Sequence, residues 1–198
     1  MKKFVLLFCF FISISCLAQQ RHLTFMGIPI DGTINTFEAK LKSKGMLPNT
    51  ETNKSLPFGK RMFRGVYIGR DVNITVNYTG KTKTVYSIEI GFADENQNIV
   101  NNFESDFIEG VKRKYKDCHM FGEDNGPDKT IYVYKTKGFD NFMWENVVGI
   151  LKTEWMTIIG KPKAEYSDLK EKIIRSVKIY YIDKLNLERK DDENASDI

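Results

Sequence analysis

Cysteine is scarce in this chain, which contains only three among 198 residues. Cys9 and Cys16 lie in an N-terminal segment with the pattern of a removable leader, so the mature protein is expected to keep Cys118 alone. One cysteine cannot form an intramolecular disulfide, and the hydrophobic core must therefore stabilise the fold. We interpret Cys118 as a structural thiol, because its neighbour His119 does not by itself make a nucleophile–base pair.

Histidine is rarer still, and recognisable catalytic motifs are missing. His22 and His119 are the two histidines. No phosphate-binding glycine loop, nucleophile elbow, paired-histidine zinc motif or Cys-x-x-Cys pair occurs. His22 follows the leader closely and is expected to be frayed. The acidic turn at 123–128 lacks the distal glutamate of a calcium loop. The sequence therefore predicts no catalytic residue, metal site or cofactor, and it favours a protein that is not an enzyme.

The chain also lacks a strong excess of either charge. It carries 30 basic and 26 acidic residues, and loss of Lys2 and Lys3 with the leader leaves 28 against 26. The basic residues are scattered rather than striped, which argues against a nucleic-acid partner. Residues 188–198 are highly charged and have almost no apolar content, so we expect a disordered tail there.

The clearest positive signal is the N-terminal leader. Lys2 and Lys3 precede an apolar run that is too short to span a bilayer. Cys16 and Ala18 then supply small residues at the −3 and −1 positions before a polar break. This pattern predicts a signal peptide over residues 1–18. It also predicts export to the periplasm or the medium, with no transmembrane span in the mature chain.

Lipid anchoring is the alternative fate of this leader. A lipoprotein signal needs a cysteine at the cleavage point, preceded by a small residue and usually by an aliphatic residue three positions back. Before Cys16, Ser15 fits this pattern but Ser13 does not. Cleavage after Ala18, which leaves a mature chain from Gln19, is therefore favoured over lipidation of Cys16.

Hydrophobic periodicity predicts one helix and then three strands in a first unit, residues 19–95. Thr33 is a candidate N-cap for a helix that Gly45 ends as a C′ residue, and apolar residues recur between them at helical spacing. Alternating apolar and polar residues then indicate antiparallel strands with one buried face. The expected strands are 61–68, 72–79 and 84–92.

A second unit, residues 96–187, repeats this order. Residues 98–117 have helical spacing, with acidic residues early and basic residues late. Strands are expected at 130–136, 146–153, 155–160 and 173–182. The last of these also has helix-like spacing, but its β-branched and aromatic residues favour a strand. The order predicts an α+β fold with two helices packed on antiparallel sheet. It is either a tandem helix-then-three-strand unit or a single domain with one long sheet.

Aromatic residues give the best indication of a binding site. Tyr132 and Tyr134 alternate with aliphatic residues, so they face outward if the aliphatic residues face the core. Trp144 and Trp155 lie near the starts of later strands. Such an array suits contact with a protein partner or stacking on a glycan of the cell envelope. The alternative is that these aromatic side chains belong to a second, covered face.

We therefore expect an exported, non-enzymatic binding protein that acts through an exposed sheet face. An extracytoplasmic hydrolase of glycan or peptidoglycan is the alternative. It would need two carboxylates about 5–10 Å apart in a pocket. The candidates are Glu89, Asp140, Glu145 and Glu154.

The stretches 25–33 and 177–186, which read FMGIPIDGT and VKIYYIDKLN, carry a family resemblance. The chain resembles small exported proteins of Bacteroidota there, a group without an established activity. This resemblance supports a strand in the second stretch and transfers no catalytic residue. In fold, a glycine-led helix followed by antiparallel strands is similar to the module of beta-lactamase-inhibitor-like and outer-membrane-assembly lipoproteins. That likeness implies architecture and no function.

Overall fold

An eight-stranded antiparallel sheet dominates the α+β fold. The computed structural model describes residues 22–114, 129–136, 139–146, 148–160 and 172–195. The predicted signal peptide lies outside these residues, as do Cys118 and His119. No helix in the described ranges is long and apolar enough to cross a membrane.

The strands and helices are numbered in chain order. The strands are β1 (Thr24–Phe25), β2 (Ile28–Pro29), β3 (Leu47–Pro48), β4 (Lys60–Tyr67), β5 (Arg70–Tyr78), β6 (Val85–Asp94), β7 (Lys129–Thr136), β8 (Phe139–Asn146), β9 (Gly149–Gly160) and β10 (Lys172–Asp183). The helices are α1 (Ile34–Ser43), α2 (Thr50–Asn53), α3 (Gln97–Lys114) and α4 (Lys184–Ala195). The large sheet has the order β3-β4-β5-β6-β10-β9-β8-β7, and β1 and β2 form a separate pair.

The structure confirms the elements predicted for the first unit. The Thr33 side chain accepts a hydrogen bond from the Thr36 N–H and caps α1. Gly45 follows the helix with φ +83°, the left-handed conformation expected of a C′ glycine. Strands β4, β5 and β6 lie within two residues of the predicted bounds.

In the second unit the prediction succeeds for α3, β7 and β10 and fails between them. Residues 139–146 form β8, which was not predicted, and β9 runs unbroken where two strands were expected. β9 pairs with β10 along its whole length. Buried Leu151 and Thr153 alternate there with the half-buried Lys152 and Glu154. The charged residues therefore lie on the more exposed face of one continuous strand and do not mark a boundary between two strands.

Residues 188–195 lie in helix α4 and not in the expected disordered tail. Asp183 caps this helix, since its Oδ1 accepts the Asn186 N–H at 3.0 Å. The Asn186 side chain is buried and donates to the carbonyl oxygens of Ile30 and Val85 at 2.8 and 2.9 Å. These bonds fix a helix whose own apolar content is low.

The two predicted units share one sheet, because β10 joins β6 rather than starting a second sheet. Val177 is opposite Phe92, and Ile179 is opposite Ile90. These side chains belong to a single cluster of buried residues that draws on both units. The predicted helix-then-strands order is therefore present twice, and the last strands of the two units meet at the centre.

Helices α1 and α3 cover the same face of this sheet. Glu38 of α1 pairs with Arg61 of β4, and Glu104 of α3 accepts hydrogen bonds from Thr153 and Trp155 of β9. Buried apolar residues of the central strands lie on this face, as the alternation predicts. The opposite face carries polar residues of the same strands, among them Thr75, Glu89 and Lys178.

Candidate functional site

The sheet face opposite α1 and α3 presents two rows of side chains that run across the strands. Register places Glu89 opposite Tyr180, and Tyr180 opposite Lys152. We call the residues of both rows the open face. One row is Thr75, Glu89, Tyr180, Lys152 and Met143; the other is Asn73, Gly91, Lys178 and Glu154. Each of these residues is half-buried or exposed.

Strand β10 supplies the centre of the open face. Its core residues Val177 and Ile179 alternate with Lys178 and Tyr180, so one strand serves both the buried cluster and the open face. The Lys178 ammonium reaches Glu89 Oε1 at 2.7 Å. Gly91 lies directly opposite Lys178 and leaves room for this diagonal contact.

Lys152, Glu154 and Tyr180 form a second polar cluster beside the Lys178–Glu89 ion pair. Lys152 Nζ is 2.7 Å from Glu154 Oε1, and the Tyr180 hydroxyl donates to Glu154 Oε2 at 2.8 Å. The same ammonium lies 4.6 Å from the centroid of the Tyr180 ring, a cation–π arrangement. Lys152, Glu154 and Tyr180 therefore hold each other in a fixed geometry.

The electrostatics keep this group in one protonation state. Burial raises the pKa of the Tyr180 hydroxyl, and its hydrogen bond to Glu154 and the charge of Glu89 raise it further. Burial also raises the pKa of Glu154, but hydrogen bonds from Lys152 and Tyr180 and the nearby positive charges outweigh it and hold that pKa below its usual value. At neutral pH Glu154 is ionised and Tyr180 is protonated.

The backbone register places Tyr132 and Tyr134 at positions on the open-face side of edge strand β7. Tyr132 is opposite Met143, and Tyr134 is opposite Asn141. In the same register, Ile131 is opposite the buried Trp144. The side chains of both tyrosines lie outside the described part of the structure.

The two tryptophans lie on the other face of the sheet. Trp144 is 1% exposed and belongs to the core. Trp155 is half-buried against that core, and its Nε1 donates to Glu104 Oε2 at 2.8 Å. The four aromatic residues proposed from sequence therefore do not form one array, and the tryptophans occupy structural positions. Sequence reasoning missed Lys152, Lys178 and Tyr180, which the alternation along β9 and β10 could have indicated.

Three of the four carboxylates considered for hydrolysis are engaged by lysines. Glu89 pairs with Lys178, Glu154 with Lys152, and Glu145 with Lys184 at 2.6 Å. A glycosidase needs one carboxylic acid with a raised pKa, and that of Glu154 is lowered. The side chain of Asp140 lies outside the described residues. Within those residues, no group of three His, Cys, Asp or Glu side chains is placed to hold a metal ion.

Comparison with known proteins assigns no family to this chain. No protein-family model, curated protein or solved structure matches it. The geometry of the open face is therefore the basis for a functional conclusion.

Proposed function

We propose that this chain is an exported, non-enzymatic protein that binds a protein partner of the cell envelope through its open face. The observation that carries this proposal is the ordered network of Lys178 with Glu89 and of Lys152 with Glu154 and Tyr180. The predicted signal peptide supports export in a soluble form, with lipid anchoring through Cys16 as the alternative.

Pre-ordered charges suit specific recognition. Side chains that are already held by neighbours lose little conformational freedom when a partner docks. Alternating ammonium and carboxylate groups favour a partner with the complementary pattern and repel others, so they contribute more to specificity than to raw affinity. Met143 and the positions of Tyr132 and Tyr134 extend the same face toward the sheet edge with apolar and aromatic residues.

A protein partner fits this face better than a glycan. Stacking on a sugar ring needs an aromatic face that the ligand can cover. The Lys152 ammonium already lies over the ring of Tyr180. Charged pairs of both signs also match a protein surface better than they match neutral hydroxyl groups.

The test removes the two lysine charges of the open face. Lys152→Gln with Lys178→Gln should reduce capture of an envelope partner at least tenfold, because the charge pattern is lost while the sheet core is untouched. Lys112→Gln is a matched control: Lys112 is 33% exposed and pairs with Glu109 at 2.6 Å, but it lies on α3. Capture would be measured with the mature chain as bait on envelope extract, and a urea unfolding curve would confirm folding.

The edge of the face is tested separately. Tyr132→Ala with Tyr134→Ala should weaken capture without changing the unfolding midpoint. If this double variant captures the partner as well as the wild-type chain does, the β7 edge is not part of the binding surface. The proposal as a whole would be contradicted if the double variant Lys152→Gln with Lys178→Gln captured the partner as well as the wild-type chain does. An equal loss of capture in Lys112→Gln would also contradict it.

A further inference from the structure

A cavity on the helix side of the sheet is separate from the open face. It has a volume of about 440 Å³ and lies between the second half of α3, the β1–β2 turn and the β4–β5 turn. Leu151 and Tyr181 of the sheet also line it. Its size falls in the range of about 300–1,000 Å³ that is typical of small-molecule sites.

Two strained turns bring apolar side chains to this cavity. Met26-Gly27 and Ile68-Gly69 each connect two strands with both φ angles positive, the pattern of a type I′ hairpin turn. The first position of such a turn favours Asn, Asp or Gly, and a β-branched residue at φ +49° is strained. Met26 and Ile68 nevertheless occupy it, and both line the cavity. Strain of this kind often marks a functional position.

Gly110 keeps the helix wall of the cavity open. It lies in the interior of α3, where glycine is less favourable than alanine. A Cβ atom at this position would meet nothing within 4 Å, so close packing does not require glycine here. The missing side chain instead leaves space beside Phe107 and Val111.

Positive charge is concentrated at one end of the cavity. Arg113 and Lys114 line it from the last turn of α3, and Lys114 Nζ donates to Thr24 Oγ1 at 2.6 Å. Burial lowers the pKa of Lys114. Asp106 also lines the cavity, but it precedes Arg113 by about 10 Å along the helix axis. An anionic group would therefore be favoured at the Arg113 end and disfavoured at the Asp106 end.

We propose that this cavity binds a single-chain amphiphile with an anionic head group, for which a medium-chain fatty acid is the simplest example. The alkyl chain lies against Met26, Ile68 and Phe107, where burial of each methylene is favourable. The carboxylate lies beside Arg113, whose planar guanidinium matches it. This site and the open face are independent, so either proposal can fail alone.

The test is calorimetric titration of the mature chain with submicellar laurate. We expect binding of one laurate per chain, and weaker binding of dodecyltrimethylammonium, which has the same tail and the opposite charge. Arg113→Gln should weaken laurate binding about three- to tenfold and reduce the preference for the anion. Asp106→Asn should strengthen it.

Filling the cavity separates binding from folding. Gly110→Leu places a side chain in the open space and should abolish laurate binding. Because leucine is a better helix former than glycine, the same variant should keep or raise the melting temperature. Unaltered binding in Gly110→Leu, or no laurate binding by the wild-type chain, would overturn the proposal. Binding to anionic phospholipid vesicles without binding of laurate would also overturn it, because the ligand would then be a membrane surface.

Discussion

At the scale of residues, Asp183 ties the beginning of the described chain to its end. Its buried carboxylate accepts the Leu23 N–H at 2.8 Å and the Asn186 N–H at 3.0 Å, and His22 Nδ1 lies 3.1 Å from it. His22 was expected to be frayed after the leader, and this contact instead anchors it. Local sequence could not reveal the contact, because Leu23 and Asp183 are 160 residues apart.

We expect Asp183→Asn to lower the free energy of unfolding by about 2–4 kcal/mol, because an amide cannot accept both backbone hydrogen bonds as the carboxylate does. Urea unfolding at pH 7 measures the loss. Asp31→Asn is the control: its side chain is 40% exposed and pairs with Lys40 at 3.2 Å, so the expected loss is below about 1 kcal/mol. Equal losses in the two variants would contradict this role for Asp183.

Glu38 gives the stability a dependence on pH. Burial raises the pKa of its carboxyl, but hydrogen bonds from Lys42 and Arg61 and their charges outweigh burial and hold that pKa below the usual value of 4.5. A lowered native pKa stabilises the fold above pH 4.5, and the contribution is lost as pH falls through the lowered value. Glu38→Gln should therefore flatten the loss of stability between pH 6 and pH 3, measured by urea unfolding at each pH. An equal dependence of the unfolding free energy on pH in wild type and variant would contradict this role. Glu51→Gln is the control, because the Glu51 side chain is 81% exposed.

At the scale of elements, helix α4 is held by side chains that bond to distant segments. Asn186 bonds two carbonyl oxygens from distant segments, and Glu193 reaches the Lys81 N–H at 3.1 Å and the Thr82 hydroxyl. We expect Asn186→Ala to cost about 2–3 kcal/mol, because two buried acceptors lose their donor. Asn194→Ala, at an exposed position of the same helix, should cost less than about 0.5 kcal/mol. Thermal melts of the two variants measure the difference, and similar melting temperatures would contradict it.

The elements show where sequence patterns succeed. The bounds of β5, β6 and α1 could be predicted closely. Local residues determine them, through clean alternation in the two strands and through the cap and the apolar spacing of the helix. β8 was missed because its polar residues obscure the strand pattern, although it pairs with β7, the strand just before it in the chain. The charged segment 188–195 is helical because Asn186 and Glu193 bond to other elements, which composition does not encode.

At the scale of the whole molecule, strand order creates the candidate site. Lys178 and Tyr180 can be placed on one face once 172–183 is recognised as a strand. Glu89 and Glu154 join them only because β6 and β9 flank β10. No local pattern specifies that order, so the sequence predicted a polar face but not its ion pairs. Trp155, by contrast, is separated from the open face by the local alternation along β9, where it follows Glu154.

The most direct measurement of the central claim is lysine footprinting of the folded mature chain. Lysines would be acetylated with and without envelope extract, and each site would be quantified by mass spectrometry. Lys152 and Lys178 are 32% exposed and Lys112 is 33% exposed, so the free chain offers comparable targets on both sides of the sheet. We expect the extract to protect Lys152 and Lys178 while Lys112 reacts as before. Equal labelling of all three lysines with and without extract would contradict binding through the open face.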